Sequence, residues 1–414
     1  MPAVPGHFDV VVSGASFTGL AVACALAKGL DGELSIAVLD AGPEAGRDTG
    51  DTPRAFAVSA ASRHLLSGLG IWDRLAAQAE PVRQIEITDS PLEAGMRPVL
   101  MTYDNALEDG EAASYIVPDG TLASALRAAL ATSANVSVLH RVEARTLVAT
   151  SPTAVQVGLS DGSTLSARLL IAAEGRRSRI REAAGIKVIM SDYRQTGICT
   201  RISHELGHDS RAIQHFLPAG PFAMLPLPGH RSCITWTEQT SEAHRIMKLP
   251  DDAFLVEVER RCGGRLGAVT LDGPRASWPL SLHMARELTA PRIALIGDTI
   301  RGVHPIAGQG LNLGFRDVAA LAESVADNVR LGLDPGASDI LERYARWRRF
   351  DGTMSALTFD GLNRLFSNDW TLLRSVREAA LGLMDRLPMA KSLLVKEAAG
   401  LTGDVPRLLR GQPL

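Results

Sequence analysis

Cysteine is scarce in this 414-residue chain. The four present, Cys24, Cys199, Cys233 and Cys262, lie far apart in sequence with no CxxC pair. That spacing signals neither a zinc ribbon nor a disulfide framework, and it fits a reducing cytosol. Apolar runs long enough to cross a bilayer are missing as well. The stretch Gly19 to Ala27 (GLAVACALA) imitates the core of a secretory leader. No positive charge precedes it, Asp9 and Gly14 interrupt it, and it runs on into a second strand, so it is not read as a leader. Neither sign of charge dominates: 43 basic and 46 acidic residues give a net charge of -3, which leaves no footprint for nucleic acid. Internal repeats and low-complexity segments are absent. The chain is too long for one small core, so two intertwined domains are expected.

What the chain does have is glycine at corners. The stretch Arg292 to Gly314 (RIALIGDTIRGVHPIAGQGLNLG) reads as a buried strand from Ile293 to Ile296 and a Gly297-Asp298 corner. A loop through His304 and Pro305 follows, then a helix opening at Gly308-Gln309-Gly310. A glycine-lined helix start offers unpaired N–H groups and a positive dipole end, which stabilise negative charge at close range. A reduced flavin carries such charge around N1 and C2=O. Asp298, at the carboxyl end of a strand, is placed to accept hydrogen bonds from a polyol such as the ribityl chain.

Near the start, Phe8 to Ser13 forms a β-branched run, followed by Gly14-Ala15-Ser16-Phe17-Thr18-Gly19 and an apolar helix to about Lys28. Leu34 to Leu39 forms the next strand and ends at Asp40. Strand, glycine turn, helix, strand and terminal acid is the layout of a dinucleotide site, with the Asp40 carboxylate on the adenosine ribose. Ser16 stands where the pattern wants its second glycine. Its Cβ would push a pyrophosphate outward, or its hydroxyl would donate to it.

A third corner, Glu174-Gly175-Arg176-Arg177-Ser178-Arg179-Ile180-Arg181, closes the long strand Thr164 to Ala173. One imitation of a metal motif occurs: His204-Glu205-Leu206-Gly207-His208 matches HExxH. A zinc site needs both imidazoles on one sustained helix face plus a third ligand. Gly207 weakens such a helix and the flanks look like strands, so no metal is expected.

These corners, in this order, resemble a known family. The late segment resembles the GD...HP..GQG.N.G signature of single-component (class A) aromatic-ring flavoprotein hydroxylases. Its wording HPIAGQGLNLGFRDV is similar to that of the ubiquinone-biosynthesis hydroxylases. TPRAFAVSAASRHLLSGLGIWDRL resembles the segment in which an arginine, here Arg54, reaches the cofactor phosphates. The third corner resembles the "DG" motif near the flavin pyrophosphate and the nicotinamide path, with Glu174 in place of aspartate. Val142 falls where related flavoproteins touch adenine with backbone atoms.

The resemblance implies an α/β fold, with a Rossmann-like (glutathione-reductase-type) FAD-binding domain, an inserted mostly β substrate domain and a helical C-terminal tail. The FAD-binding domain is expected in three pieces, 1–82, 112–183 and 276–350. The substrate domain is expected at 83–111 and 184–275, and the helical region at 351–414. FAD, O2 and NAD(P)H or another reduced donor are the implied cofactors and co-substrates. A flavin C4a-hydroperoxide would hydroxylate a polyprenylated phenol or quinol in ubiquinone synthesis. Gly308, Gln309, Gly310, Leu311 and Asn312 would hold the pyrimidine edge of the flavin, beside Gly297 and Asp298. Pro305 would shape the wall at the reactive carbon. His304 would either deprotonate or orient the ring hydroxyl, or only brace the loop.

GPFAMLPLP (Gly220 to Pro228) resembles the strand facing the substrate, where Phe222, Met224 and Pro226 share one face and Leu225 points the other way. Tyr344, Trp347, Phe350, Phe366 and Trp370 are expected packing anchors, and Phe366-Ser367-Asn368 adds to the ubiquinone-type resemblance. Leu372 to Leu401 carries apolar residues among arginines and lysines, which suits a tail packed on the flavin domain or on another subunit. It also suits a peripheral contact with the inner face of the membrane, from which an isoprenoid substrate would be drawn, in an otherwise cytoplasmic protein. Two other readings stay open: a flavin hydroxylase of a soluble aromatic or secondary metabolite, and a flavin-binding scaffold in a biosynthetic complex. The WxWxIP segment of a halogenase is not found.

Overall fold

The computed structural model describes residues 6–43, 52–92, 97–305, 308–366 and 387–414. The chain opens with β1 (His7–Ser13), α1 (Phe17–Gly29) and β2 (Ile36–Asp40). It continues through β3 (Ala55–Ser59), α2 (Ala60–Gly68), the short β4 (Glu80–Pro81), β5 (Gln84–Asp89) and β6 (Val99–Asp104). Strand Val99–Asp104 pairs antiparallel with β5. Then come β7 (Ser114–Pro118), α3 (Asp119–Leu130), β8 (Val136–His140), β9 (Ala144–Thr150), β10 (Val155–Leu159) and β11 (Thr164–Ala172).

After α4 (Arg179–Ala183) the chain enters a run of antiparallel strands: β12 (Val188–His204), β13 (Arg211–Leu217), β14 (Gly220–Leu227) and β15 (Arg231–Gln239). Helices α5 (Thr240–Met247) and α6 (Asp251–Cys262) precede β16 (Val269–Leu271), β17 (Ala276–Ala285), β18 (Thr289–Ala290), β19 (Ile293–Leu295) and β20 (Arg301–Gly302). The chain closes on α7 (Gly310–Val329), α8 (Ser338–Phe366) and α9 (Pro388–Ala398). Residues 367–386, with Ser367, Asn368, Trp370 and the start of the Leu372 to Leu401 stretch, lie outside the described residues.

Two large sheets and a small one of order β3-β7-β4 organise these elements. The first runs β18-β19-β11-β1-β2-β8, with β10 and β9 added beside β11. Its centre is parallel, β1 lying between β11 and β2. Strands buried on both faces read as continuous apolar runs, and Val10, Val11 and Val12 are fully buried between α1, α7 and their neighbours. The second sheet, β20-β17-β12-β15-β14-β13-β5-β6, is mostly antiparallel, and α5 and α6 cover one of its faces. This is the α/β arrangement that the resemblance implies. One boundary differs: residues 276–285 form β17 of the second sheet, paired along most of β12, so the return to the first sheet comes after Ala285. The C-terminal residues Val405, Leu408 and Leu409 pack into the first core.

Candidate cofactor and substrate site

The three glycine corners meet at the carboxyl ends of the neighbouring strands β1, β11 and β19 of the first sheet. Gly14 has φ +107, and a Cβ there would stand 2.7 Å from the Ala173 carbonyl oxygen. A Cβ on Gly19 would stand 2.0 Å from the Gly14 carbonyl oxygen, so both positions admit only glycine. Thr18 of α1 fills the space in front of Gly297 (φ +60) and Gly314: added Cβ atoms would come within 2.9 and 2.6 Å of its side chain. The Gly175 N–H donates to Thr299 Oγ1 (3.0 Å), and the Arg181 guanidinium donates to the Thr299 carbonyl (3.0 Å). First, second and third corners are thereby tied into one rigid rim.

The two departures from the family pattern have local explanations. The Ser16 hydroxyl donates to the Ala173 carbonyl (2.9 Å) and accepts from the Gly19 N–H (3.2 Å), which makes it the cap of α1. Its hydrogen is committed inward, so a phosphate here meets backbone N–H groups. The Glu174 carboxylate accepts from Ser13 Oγ (2.8 Å), from the Ile180 N–H (3.1 Å) and from Ser178 Oγ. Its extra methylene lets it cap α4 while bracing the end of β1.

At the far end, Asp40 closes β2, accepts from the Gly42 N–H (2.9 Å) and faces His140 Nδ1 at 3.4 Å. Sequence reading missed His140, which the parallel register places directly beside Asp40. The Val142 N–H donates to the Asp40 carbonyl (3.0 Å), so this backbone lies at the rim of the same corner. Arg54 stands exposed between two aromatic rings, its guanidinium carbon 5.0 Å from the Phe56 centroid and 5.1 Å from that of Trp278. Such stacking fixes a loop charge in place.

Asp298 is walled in by protein on its sides while its side chain stays accessible, the position of a group in the side of a cleft. Burial pushes its carboxyl up, and Arg176, Arg54 and Arg301 act in the opposite direction. Below it, His283 Nε2 donates to the Asp298 carbonyl (2.7 Å), and burial pushes that imidazole down to about 4. The N-cap residue of α7, Gln309, makes no side-chain cap hydrogen bond among the described residues, and a Cβ on Gly310 would meet nothing within 4 Å, so space lies open beside that glycine. Gly308 adopts φ +63 to turn the chain into this helix. Asn312 has a different task. Its Oδ1 accepts from the Ser59 N–H (3.0 Å) and Ser62 Oγ (2.8 Å). Its Nδ2 donates to the Ala57 carbonyl (2.9 Å) and Gln309 Oε1 (3.2 Å). It staples α7 to β3 and α2.

The His304 ring is 1 % exposed, and neither nitrogen has a hydrogen-bond partner among the described residues. Tyr193 meets it edge-on at 5.2 Å, Pro305 follows it half-buried, and burial pushes its pKa down to about 4 against the pull of Asp360. On the second sheet the expected substrate face is corrected. Phe222 and Met224 are buried in the core under α5 and α6 with Trp236 and Phe254, and Pro226, on the same strand face, is buried too. The opposite face carries Ala223 and Leu225, with Leu225 packed beside Ala55, Ala57, Cys199 and Trp278 toward the first domain. Alternation along β14 was legible; which face meets the helices was not. The same face brings Cys199 and Cys233, remote in sequence, to 3.6 Å between sulfurs. His204 ends β12, and its ring nitrogens engage the Leu206 carbonyl and Ser232 Oγ, so HExxH forms no helix here.

The glycine rim, the open α7 start and the accessible Asp298 fit a flavin dinucleotide laid from Asp40 to His304. Comparison with known proteins identifies the same cofactor. A family described as FAD binding domain matches residues 7–352. Ubiquinone hydroxylase UbiL of Rhodospirillum rubrum is 39% identical over 419 residues, covering 98% of this chain and 93% of that protein. The mitochondrial ubiquinone biosynthesis monooxygenase COQ6 of Homo sapiens is 31% identical over 407 residues, covering 87% of this chain and 86% of that protein. Among solved structures, p-nitrophenol 4-monooxygenase PnpA from Pseudomonas putida DLL-E4 superimposes with a TM-score of 0.78 at 16% identity. It covers 97% of this chain and 100% of its own, a likeness of fold.

Proposed function

Because this chain belongs to the family of FAD-dependent monooxygenases that includes the ubiquinone hydroxylases, we propose that it hydroxylates the aromatic ring of a polyprenylated phenol or quinol in ubiquinone biosynthesis. The observation that carries this reading is the convergence of three glycine corners, at Gly14 to Gly19, at Gly175 and at Gly297, on one another ahead of α7. Bound FAD supplies the activation of O2, drawing electrons from NAD(P)H; one oxygen atom enters the ring and the other leaves as water.

The chain's own residues bind, orient and exclude water. Asp40 takes the ribose, and the N–H groups of the Gly14 to Gly19 turn take the pyrophosphate with Arg54 beside them. Asp298 accepts from the ribityl chain. The N–H groups at Gly310 and Leu311 face the pyrimidine edge, where the helix dipole favours negative charge. Asn312 and Glu174 support this cradle from behind through the bonds already described. Pro305 walls the reacting position. A His304 ring neutral above about pH 4 is a weak base but a good hydrogen-bond partner, so its role is to orient the ring hydroxyl. The substrate ring lies against the Ala223 and Leu225 face of β14.

The isoprenoid tail favours a peripheral membrane contact. Helix α9 exposes Met389 (88%) and Leu393 (64%) one turn apart, as a helix lying on a bilayer surface does. The test is direct. Purified protein is expected to carry FAD absorption, and a strain lacking it is expected to accumulate a quinone precursor short of one ring hydroxyl. Unchanged quinone intermediates, or NAD(P)H oxidation stimulated only by a small soluble phenol, would defeat the proposal.

A further inference from the structure

A cavity of about 300 Å³ lies between the early part of β12, the end of β17, β20 and α8. Arg286, Arg301, Arg348 and Arg349 line it, with apolar walls that include Ile189 and Met284. Arg301 and Arg348 form its buried floor, and both bind Asp317, Arg301 Nη2 at 3.0 Å and Arg348 Nε at 2.9 Å. Arg286 and Arg349 stand exposed at its mouth, and neither has an ion pair among the described residues. No acidic side chain is among its described lining residues. Four guanidiniums around one small concavity repel one another, and the geometry that relieves this is an anion held by several forked donors. The apolar walls add a surface for a flat or greasy body attached to that anion, and Ile189 there is 48% exposed.

We propose that this cavity binds a phosphate ester. The proposal is independent of the ubiquinone reading. Two sources share the chemistry: the phosphates of the dinucleotide electron donor, and the headgroup of an anionic lipid. Asp317 also accepts from the Gly297 N–H (3.1 Å), so the site connects through one carboxylate to the corner that carries Asp298.

The probe is inorganic pyrophosphate, titrated against the FAD-loaded full chain by calorimetry at constant ionic strength. The comparison is the double variant Arg286→Ser, Arg349→Ser, whose exposed positions leave the buried floor intact. Binding is expected for the wild type and weakened on the order of tenfold or more in the variant, the loss of charge-assisted hydrogen bonds. A raised KM for NADPH at unchanged kcat in the variant identifies the donor as the source. Lost sedimentation with phosphatidylglycerol vesicles at unchanged KM, with phosphatidylcholine vesicles as control, identifies lipid. Equal pyrophosphate binding by wild type and variant, or binding no stronger than that of chloride, overturns the proposal.

Discussion

Three buried imidazoles contribute a defined share of the pH behaviour. His215 is pushed down to about 3 by burial, and His283 and His304 to about 4, whereas an exposed ring titrates near 6.5. Above pH 6.5 both folded and unfolded rings are neutral and contribute nothing. As pH falls from 6.5 toward 4, only the unfolded rings take up protons, so stability drops by about 1.4 kcal/mol per pH unit for each ring. Denaturant midpoints measured between pH 7 and pH 4.5 are expected to fall steeply. His215→Gln, remote from the glycine rim, is expected to make that slope shallower by one ring's share. Asn312→Ala should cost about 2–3 kcal/mol, because the Ser59 N–H and the Ala57 carbonyl lose their partner, and thermal unfolding of the variant reads it. At this scale the sequence showed residue types but not their duties. Asn312, Glu174 and Ser16 stood at family positions, yet their side chains are spent on β3, α4 and α1, which only assembled neighbours reveal.

Elements are held by glycine contact on one side and a buried charge cluster on the other. Gly14→Ala sets a Cβ against the Ala173 carbonyl at φ +107 and is expected to cost about 3 kcal/mol or more, with loss of FAD on gel filtration. Asp317, 0% exposed, joins α7 to β20 through Arg301, to α8 through Arg348 and to the Gly297 turn. Asp317→Asn leaves two buried guanidiniums without their shared carboxylate, and a loss of about 3–5 kcal/mol is expected in urea titration. The β1, α1, β2 unit was legible because apolar run, glycine turn and terminal acid follow one another locally. The orientation of β14 was not. Phe222 and Leu225 are equally apolar, and the distant helices α5 and α6, not β14 itself, decide which of them is covered.

The chain crosses between its two large sheets repeatedly, so neither folds from one continuous piece. Residues 276–285 illustrate why that boundary was misread: ASWPLSLHMA alternates as any half-buried strand does, and only its pairing with β12 assigns it to the second sheet. At this scale α9 gives a separable test. Met389→Ser with Leu393→Ser should leave stability within about 0.5 kcal/mol, because both side chains are largely exposed, while reducing sedimentation with lipid vesicles.

The placement of β1 has a further consequence for a chain still leaving the ribosome. Val10 pairs with Ile36 almost at once, but its other neighbour, Leu169, emerges far later, and β19 later still. At ordinary synthesis rates that open flank waits roughly 8 to 30 s for its partner. A sticky valine edge exposed for so long is an attractive client for a holdase.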